Sequence, residues 1–426
     1  MSKPTERRGS ILDIAFEPTT VADGVHLVAT QGNGVVIETG DGLVLVDAGA
    51  GGELTDRMIA DVRGISDAPV RAIIYSHGHI GYNAGVPQWQ AHAAERGDPM
   101  PWLVAQANAR QRFDRYRRTF GMQLLLNSWQ FQKATRESLV QGLSFVDPTH
   151  VFETALMLED PDRPVEVFAA PSETDDCVGL WLPRQEILYG GPAVINGFPN
   201  VGTPLRSQRR TQRWVDTLDA MIARKARILI PEFGPAVVGA DAVRHRLQTT
   251  ADALRWLIDE VTERMNRGLN DVEILHDLPD PGERFAHEHL KSNYGSPDYV
   301  VRDLFREQSG WWTSRNPTDL HPAAPDAAAT AILAAVDPAR VIAAARAHAE
   351  SGEHQLALHV IDLLAMAPGN DPLLAEAREL KAACCDALSR QTAPFVSRSL
   401  YRGSARLLRA GKRGWSEAPD GLDALD

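Results

Sequence analysis

The sequence predicts a layered α/β domain followed by an all-α C-terminal domain. Three observations carry this. Short β-branched runs broken by Gly, Asp and Asn fill residues 25–75. Similar runs return between residues 164 and 235. Beyond residue 245 apolar residues recur at helical spacing, and the chain becomes rich in Ala and Leu after residue 327. Strands interleaved with helices imply sheets with helices packed on them.

Residues 1–20 read as a polar leader without the apolar core of a signal peptide. HLVAT, GVVIETG, GLVLVDAG and RAIIYS then read as strands. Between the last two, Leu54, Met58, Ile59 and Val62 fall at helical spacing and predict a helix over Gly51–Gly64. Residues 86–146 lose the strand texture and read as a helical insertion. PVEVFAAP, VGLWLP, EILYGG and ARILIPEFGP restore it, so residues 21–245 form one α/β domain. Leu247, Ala251, Leu254, Leu257, Ile258, Val261 and Met265 line one helical face that stops at Gly268. Residues 246–322 are therefore a helical connecting region, closed by the Pro-rich HPAAPD. Residues 323–410 carry two or three amphipathic helices, with PGND as a turn, and residues 411–426 read as a frayed tail. Leu356, Leu358, Ile361, Leu363 and Leu364 suggest an interface or a helical stack.

Composition narrows the function. The 426 residues include 44 Lys+Arg and 56 Asp+Glu, a formal charge of −12. That opposes nucleic-acid binding and docking on an anionic membrane. No run of 18 apolar residues is present. Of three cysteines, Cys177 is isolated and Cys384 and Cys385 are adjacent, so no disulfide framework is legible and a reducing, cytoplasmic setting fits. The adjacent pair reads as buried packing, and Cys177 as packing or a soft ligand.

The most specific stretch is RAIIYSHGHIGYNAG, residues 71–85. An apolar strand ends in His77-Gly78-His79. Residues two apart at a strand end point the same way, so both imidazoles can face one metal. Gly78 permits close backbone approach. Asp47 ends an earlier apolar strand.

These residues resemble the metallo-β-lactamase superfamily. The similarity is greatest to its alkyl-sulfatase-like branch, through NARQRFDRYRRTFG, SETDDCVGLWLP, PNVGTPLR, YGSPDYVVRDLF and GWWTSRNPTDLHP. The resemblance implies an αββα sandwich of two sheets with helices outside, a C-terminal dimerisation domain and therefore a homodimer. It also implies a dinuclear zinc site. His77, His79 and Glu173 match the first metal's ligands. The remaining positions fall on Gly81, Tyr82, Gly191 and Phe233, which removes the second site.

A His₂-carboxylate trio with an open position suits one divalent metal, zinc or else iron(II). Metal-free chemistry stays open beside it. Tyr82 stands where an imidazole would, as acid, weak ligand or packing, and Glu232 beside Phe233 is a candidate to turn inward. By resemblance the arginine-rich helix 110–118 lines the substrate cleft. Arg112, Arg115 and Tyr116 would neighbour one another there, with Asn108 and Asn127 as polar contacts. Asn200 and Arg206 match positions near the family's site, and Arg206 is the leading anion contact. Arg209, Arg210 and Arg213 read as surface, and Trp311 and Trp312 as core or cleft wall. The function expected is a metal-dependent hydrolase of a small anionic ester. The alternatives are a lyase, isomerase or cyclase on the same fold, or a binding protein that has lost catalysis.

Overall fold

The computed structural model describes residues 17–132 and 134–418. They form two units, one of residues up to 120 with 137–310, the other of residues 121–136 with those from 311 onward.

The first unit holds two sheets. The first runs in chain order through β1 (Thr19–Ala22), β2 (Val25–Ala29), β3 (Asn33–Thr39), β4 (Gly42–Val46), β5 (Val70–Ile74), β6 (Trp102–Gln106) and β7 (His150–Phe152). β1 to β4 are antiparallel and β4 to β7 parallel. The second sheet is built from β8 (Ala155–Leu158), β9 (Val165–Ala169), β10 (Val178–Leu182), β11 (Ile187–Gly191), β12 (Ile228–Pro231) and β13 (Val237–Val238), again adjacent in order. Helices α1 (Gly52–Ile65), α2 (Val86–Arg96) and α3 (Asn108–Arg118) pack on the outer face of the first sheet through Met58, Val62, Trp89 and Phe113. α4 (Phe120–Gln130) and α5 (Arg136–Gly142) follow α3 in the chain. α6 (Thr211–Ala223), α7 (Ala240–Asn266), α8 (Asp271–Asp277) and α9 (Pro297–Ser309) cover the second sheet through Trp214, Leu218, Leu254, Leu257 and Phe305. Between the sheets lie Val35, Val44, Val46, Ile74, Val167, Leu180 and Ile230. The layers are α, β, β, α, as the resemblance implied.

β4 explains why this order is stable. All five residues of GLVLV are buried, so its apolar run serves both the inter-sheet core and the helix layer. The parallel run β4 to β6 needs helical crossovers, and α1 and α2 supply them.

Three expectations are corrected. Residues 86–146 are not uniformly helical, because WLVAQ forms β6 with Leu103 to Ala105 buried. Residues 19 and 20 are not leader, because they pair with β2 as part of β1; residues 1–16 lie outside the described residues. Residues up to 418 are not frayed. Trp415 packs against Trp129 at 4.9 Å between ring centres, and Arg413 pairs with Asp326 and Glu417. Residues 419–426 lie outside the described residues.

The second unit gathers α4 with α10 (Pro325–Leu333), α11 (Pro338–Glu350), α12 (His354–Ala365), α13 (Pro372–Gln391) and α14 (Phe395–Arg409). Asp337 and Asp371 cap α11 and α13 with their carboxylates, satisfying amides that a helix start leaves free. Arg378 closes the PGND turn by donating to the carbonyls of Ala365, Ala367 and Gly369. Ile342, Ala345, Ile361 and Leu364 form the core. Cys384 and Cys385 are buried and free. Trp311 is neither core nor wall, at 72% exposed, and Asn127 bonds to the Gln123 carbonyl of its own helix. Among the described residues no single helix is long and apolar enough to cross a membrane.

Candidate metal centre and arginine cleft

The centre sits at the carboxyl ends of the inner strands, where loops are free to carry chemistry. Asp47 follows β4 in a left-handed conformation, φ 63°. Its Oδ1 accepts from the Ser76 amide at 2.8 Å and from Asn83 Nδ2 at 3.0 Å. One carboxylate thus ties both ends of the loop that carries the two histidines. Gly78 donates its amide to Asp176 Oδ2 at 2.7 Å. A Cβ there would stand 2.8 Å from both Arg112 Cδ and that carboxylate oxygen, so any larger residue between the histidines would displace the Arg112–Asp176 pair.

Burial pushes the Asp47 carboxyl up to about 7, against the hydrogen bonds from Ser76 and Asn83 that pull it down. A carboxyl raised on folding stabilises the protonated state. Its contribution is complete below pH ~4 and fades as pH rises through about 7, a swing of about 4 kcal/mol. Urea unfolding in chelator should show metal-free protein losing stability over that window relative to Asp47→Asn, which keeps the acceptor and has no proton to lose.

His77 Nδ1 lies 2.9 Å from Ser76 Oγ, and its Nε2 lies 2.8 Å from His79 Nδ1. His79 Nδ1 is 3.8 Å from Glu173 Oε1. Burial lowers the His77 imidazole to about 4 and, with His77 beside it, lowers His79 strongly as well. Both rings are neutral at pH 7, the form that ligates metal. Glu173 Oε1 accepts from Asn200 Nδ2 at 2.6 Å and Arg209 Nη1 at 2.8 Å, while Thr203 donates to Asn200 Oδ1. The three donor atoms lie within 4.8 Å of one another, the one such group of three or more His, Cys, Asp or Glu among the described residues. Two ligands on a tetrahedral zinc stand about 3.3 Å apart, given Zn–N bonds of about 2.0–2.1 Å. The observed 2.8 and 3.8 Å bracket that spacing, so the trio fits one metal.

The second-site positions do not fit a metal. Gly81 and Gly191 offer no side chain and Phe233 no donor. Gly191 has φ 54°, and a Cβ on it would meet the Val178 carbonyl at 2.4 Å. Gly191→Asp is therefore expected to cost about 2–4 kcal/mol in urea unfolding without adding a ligand. Tyr82 is buried with its ring 4.3 Å from that of His77. Glu232 does turn inward, at 1% exposed. It is an electrostatic neighbour of Tyr82 and Glu173; burial, then Glu173, pushes its pKa well up. Tyr189 stands in the same region, buried, with Asp47, Glu232 and Ser76 as its polar neighbours. Its place in the apolar run ILYGG carries no sequence signal that would mark it as part of the site. Cys177 is fully buried and receives the Thr174 amide at 3.2 Å.

Glu173 also forms part of the wall of a cleft of about 580 Å³. Asn108 and Arg115 line it, and Asn108 donates to the Asp175 carbonyl at 3.2 Å. Arg112 is committed elsewhere, bonding Asp176 at 2.6 Å and pairing with Asp175. Tyr116 is buried against Phe145. Arg206 is half-buried among Tyr294, Arg209, Tyr116 and Glu173, and burial lowers its pKa. Arg209 is not surface. Its side chain is 3% exposed and is ion-paired to Glu173. Arg210 and Arg213 are exposed and line the cleft.

Fold and site together define a metallo-β-lactamase superfamily domain, and that superfamily's model matches residues 27–232. This domain is joined to an alkyl sulfatase dimerisation domain, matched over residues 270–411. The chain is similar to the linear primary-alkylsulfatase of a Pseudomonas strain, 27% identical over 70% of this chain and 60% of that protein. It is also similar to an (R)-specific secondary-alkylsulfatase of Pseudomonas, 26% identical over 90% and 62%. The chain thus spans about three fifths of the length of these curated relatives. The solved sec-alkylsulfatase Pisa1 of Pseudomonas shares the fold, with a TM-score of 0.81 and 22% identity over 93% of this chain and 66% of that one.

Proposed function

We propose that the chain is a hydrolase of the alkylsulfatase kind, acting on a small anionic sulfate-type ester with one divalent metal, zinc by preference, on His77, His79 and Glu173. The observation that carries this is the convergence of two neutral imidazoles and a buttressed carboxylate at the end of an anion-attracting cleft. A bound ion would polarise an ester oxygen and lower the pKa of a water toward neutrality. Asn200 and Arg209 hold the Glu173 carboxylate in place. Arg206 brings positive charge to the substrate's anionic group, with Asn108, Arg115 and Tyr116 on that side. Tyr82, against the His77 ring, and Glu232, its electrostatic neighbour, would handle protons. The dimerisation domain supports a homodimer, for which Leu356 and Leu363 offer exposed apolar surface on α12. The three buried free cysteines support a cytoplasmic setting.

One observation favours a second reading. Arg209 already neutralises the Glu173 oxygen nearest His79, so a guanidinium could stand in for the ion in a metal-free binding protein or re-tasked enzyme. Elemental analysis of protein from minimal medium separates the two. We expect at most one equivalent of metal per chain, with sulfate-ester turnover lost to chelator and restored by zinc. No metal at any added concentration would establish the second reading, and two equivalents would overturn the loss of the second site.

A further inference from the structure

The cleft wall is unlike an alkyl-chain site. Among its lining residues only Pro171 is apolar, while Arg112, Arg115, Arg118, Arg209, Arg210 and Arg213 face it, with Glu173 and Asp175 as the acids. Arg112 and Arg209 are spent on those acids and on Asp176. Arg115, Arg118, Arg210 and Arg213 have no carboxylate partner among the described residues. The charge is also misplaced for stability. Arg210 stands at the N-cap of α6 and Arg213 in its first turn, which holds no acid. Cations there oppose the helix dipole. In a chain with twelve more acids than bases, four unpaired guanidiniums in one cleft are a cost that a bound anion would relieve.

We infer that the cleft takes a small organic anion bearing two separate anionic groups. One would lie at the Glu173 end and the second would be gripped by Arg115, Arg118, Arg210 and Arg213. Guanidiniums suit sulfate, phosphate or carboxylate, because their planar donors engage two oxygens at once. This inference rests on the proposed function for the identity of the site, but its test does not use turnover.

Calorimetric titration of the full chain, with and without chelator, compares α,ω-alkanedisulfonates of two to six carbons with the matching monosulfonates. The carbon chain is common to each pair, so the ratio of affinities reads the second group alone. We expect the best disulfonate to bind roughly tenfold or more tightly than its monosulfonate, the worth of about one charge-assisted hydrogen bond, and increasingly so at low salt. Arg210→Gln with Arg213→Gln should collapse the ratio to near one while the unfolding midpoint holds or rises slightly, since both side chains are exposed and neither cation suits the start of α6. A ratio near one in the unaltered protein, tighter binding of octanesulfonate than of any disulfonate, or a ratio unmoved by the double substitution would each overturn the inference. A metal result that sinks the hydrolase reading leaves this ratio standing, so the two failures are distinguishable.

Discussion

Glu173→Ala is expected to abolish metal binding and turnover together and to destabilise the protein by about 3–5 kcal/mol. Two of three ligands do not hold an ion against water, which explains the first effect. The second comes from Arg209, whose side chain is 3% exposed and whose carboxylate partner would be gone. Glu173→Gln tests the partition. It keeps an oxygen for Asn200 and Arg209 while losing the negative charge, so metal should go with a smaller loss of stability. Adding Arg209→Met to Glu173→Ala should recover much of the stability and none of the metal. Calorimetric unfolding and metal analysis on the same samples check all three. Retained metal in Glu173→Ala would remove that residue from the ligand set.

Arg112→Met is expected to cost a similar amount, about 3–5 kcal/mol, by a different route. Asp176 is fully buried, and burial alone would raise its pKa; Arg112 keeps it below the usual carboxylate range. Without Arg112 the carboxylate is stranded, and its other oxygen holds the Gly78 amide between the histidines. Metal affinity should therefore fall about 10- to 100-fold, the usual effect of losing an outer-shell support. The sign of the pH dependence identifies the cause. In the variant Asp176 takes up a proton more readily, so the deficit relative to wild type should shrink as pH falls. A pH-independent deficit would point to lost packing of the arginine stem instead.

What the sequence makes legible follows from how local each signal is. GLVLV and RAIIY announce strands because both faces are buried and the apolar run is continuous. The His77-Gly78-His79 turn is legible because strand end, spacing and glycine coincide within three residues. β7 and β13 are too short, and β1 too polar, to rise above the pattern around them, and β6 is masked by the helical texture on either side of it. Arg209 shows the harder limit. Arg209 and its neighbour Arg210 read as solvated surface, yet the fold carries Arg209 to a carboxylate 36 residues away and buries the pair. Glu173 is legible only through resemblance, because a lone acid between strands has no local signature. Tyr189 becomes interpretable only when β11 and β12 pair within one sheet and bring it near Glu232.

The two bonds that run from the His77 loop to the turn before β10, Gly78 N to Asp176 and Val178 N to Ser76 O, have a thermodynamic meaning. They join the loops of the candidate ligands, carried by opposite sheets, before any ion arrives. Small metal-folded domains gather their donors only on binding, so that chelation unfolds them. Here the ordering cost is met during folding by the sandwich itself. Chelator should empty the centre and leave the unfolding transition of this unit cooperative. Metal addition should raise its midpoint only by mass action on a structure already formed.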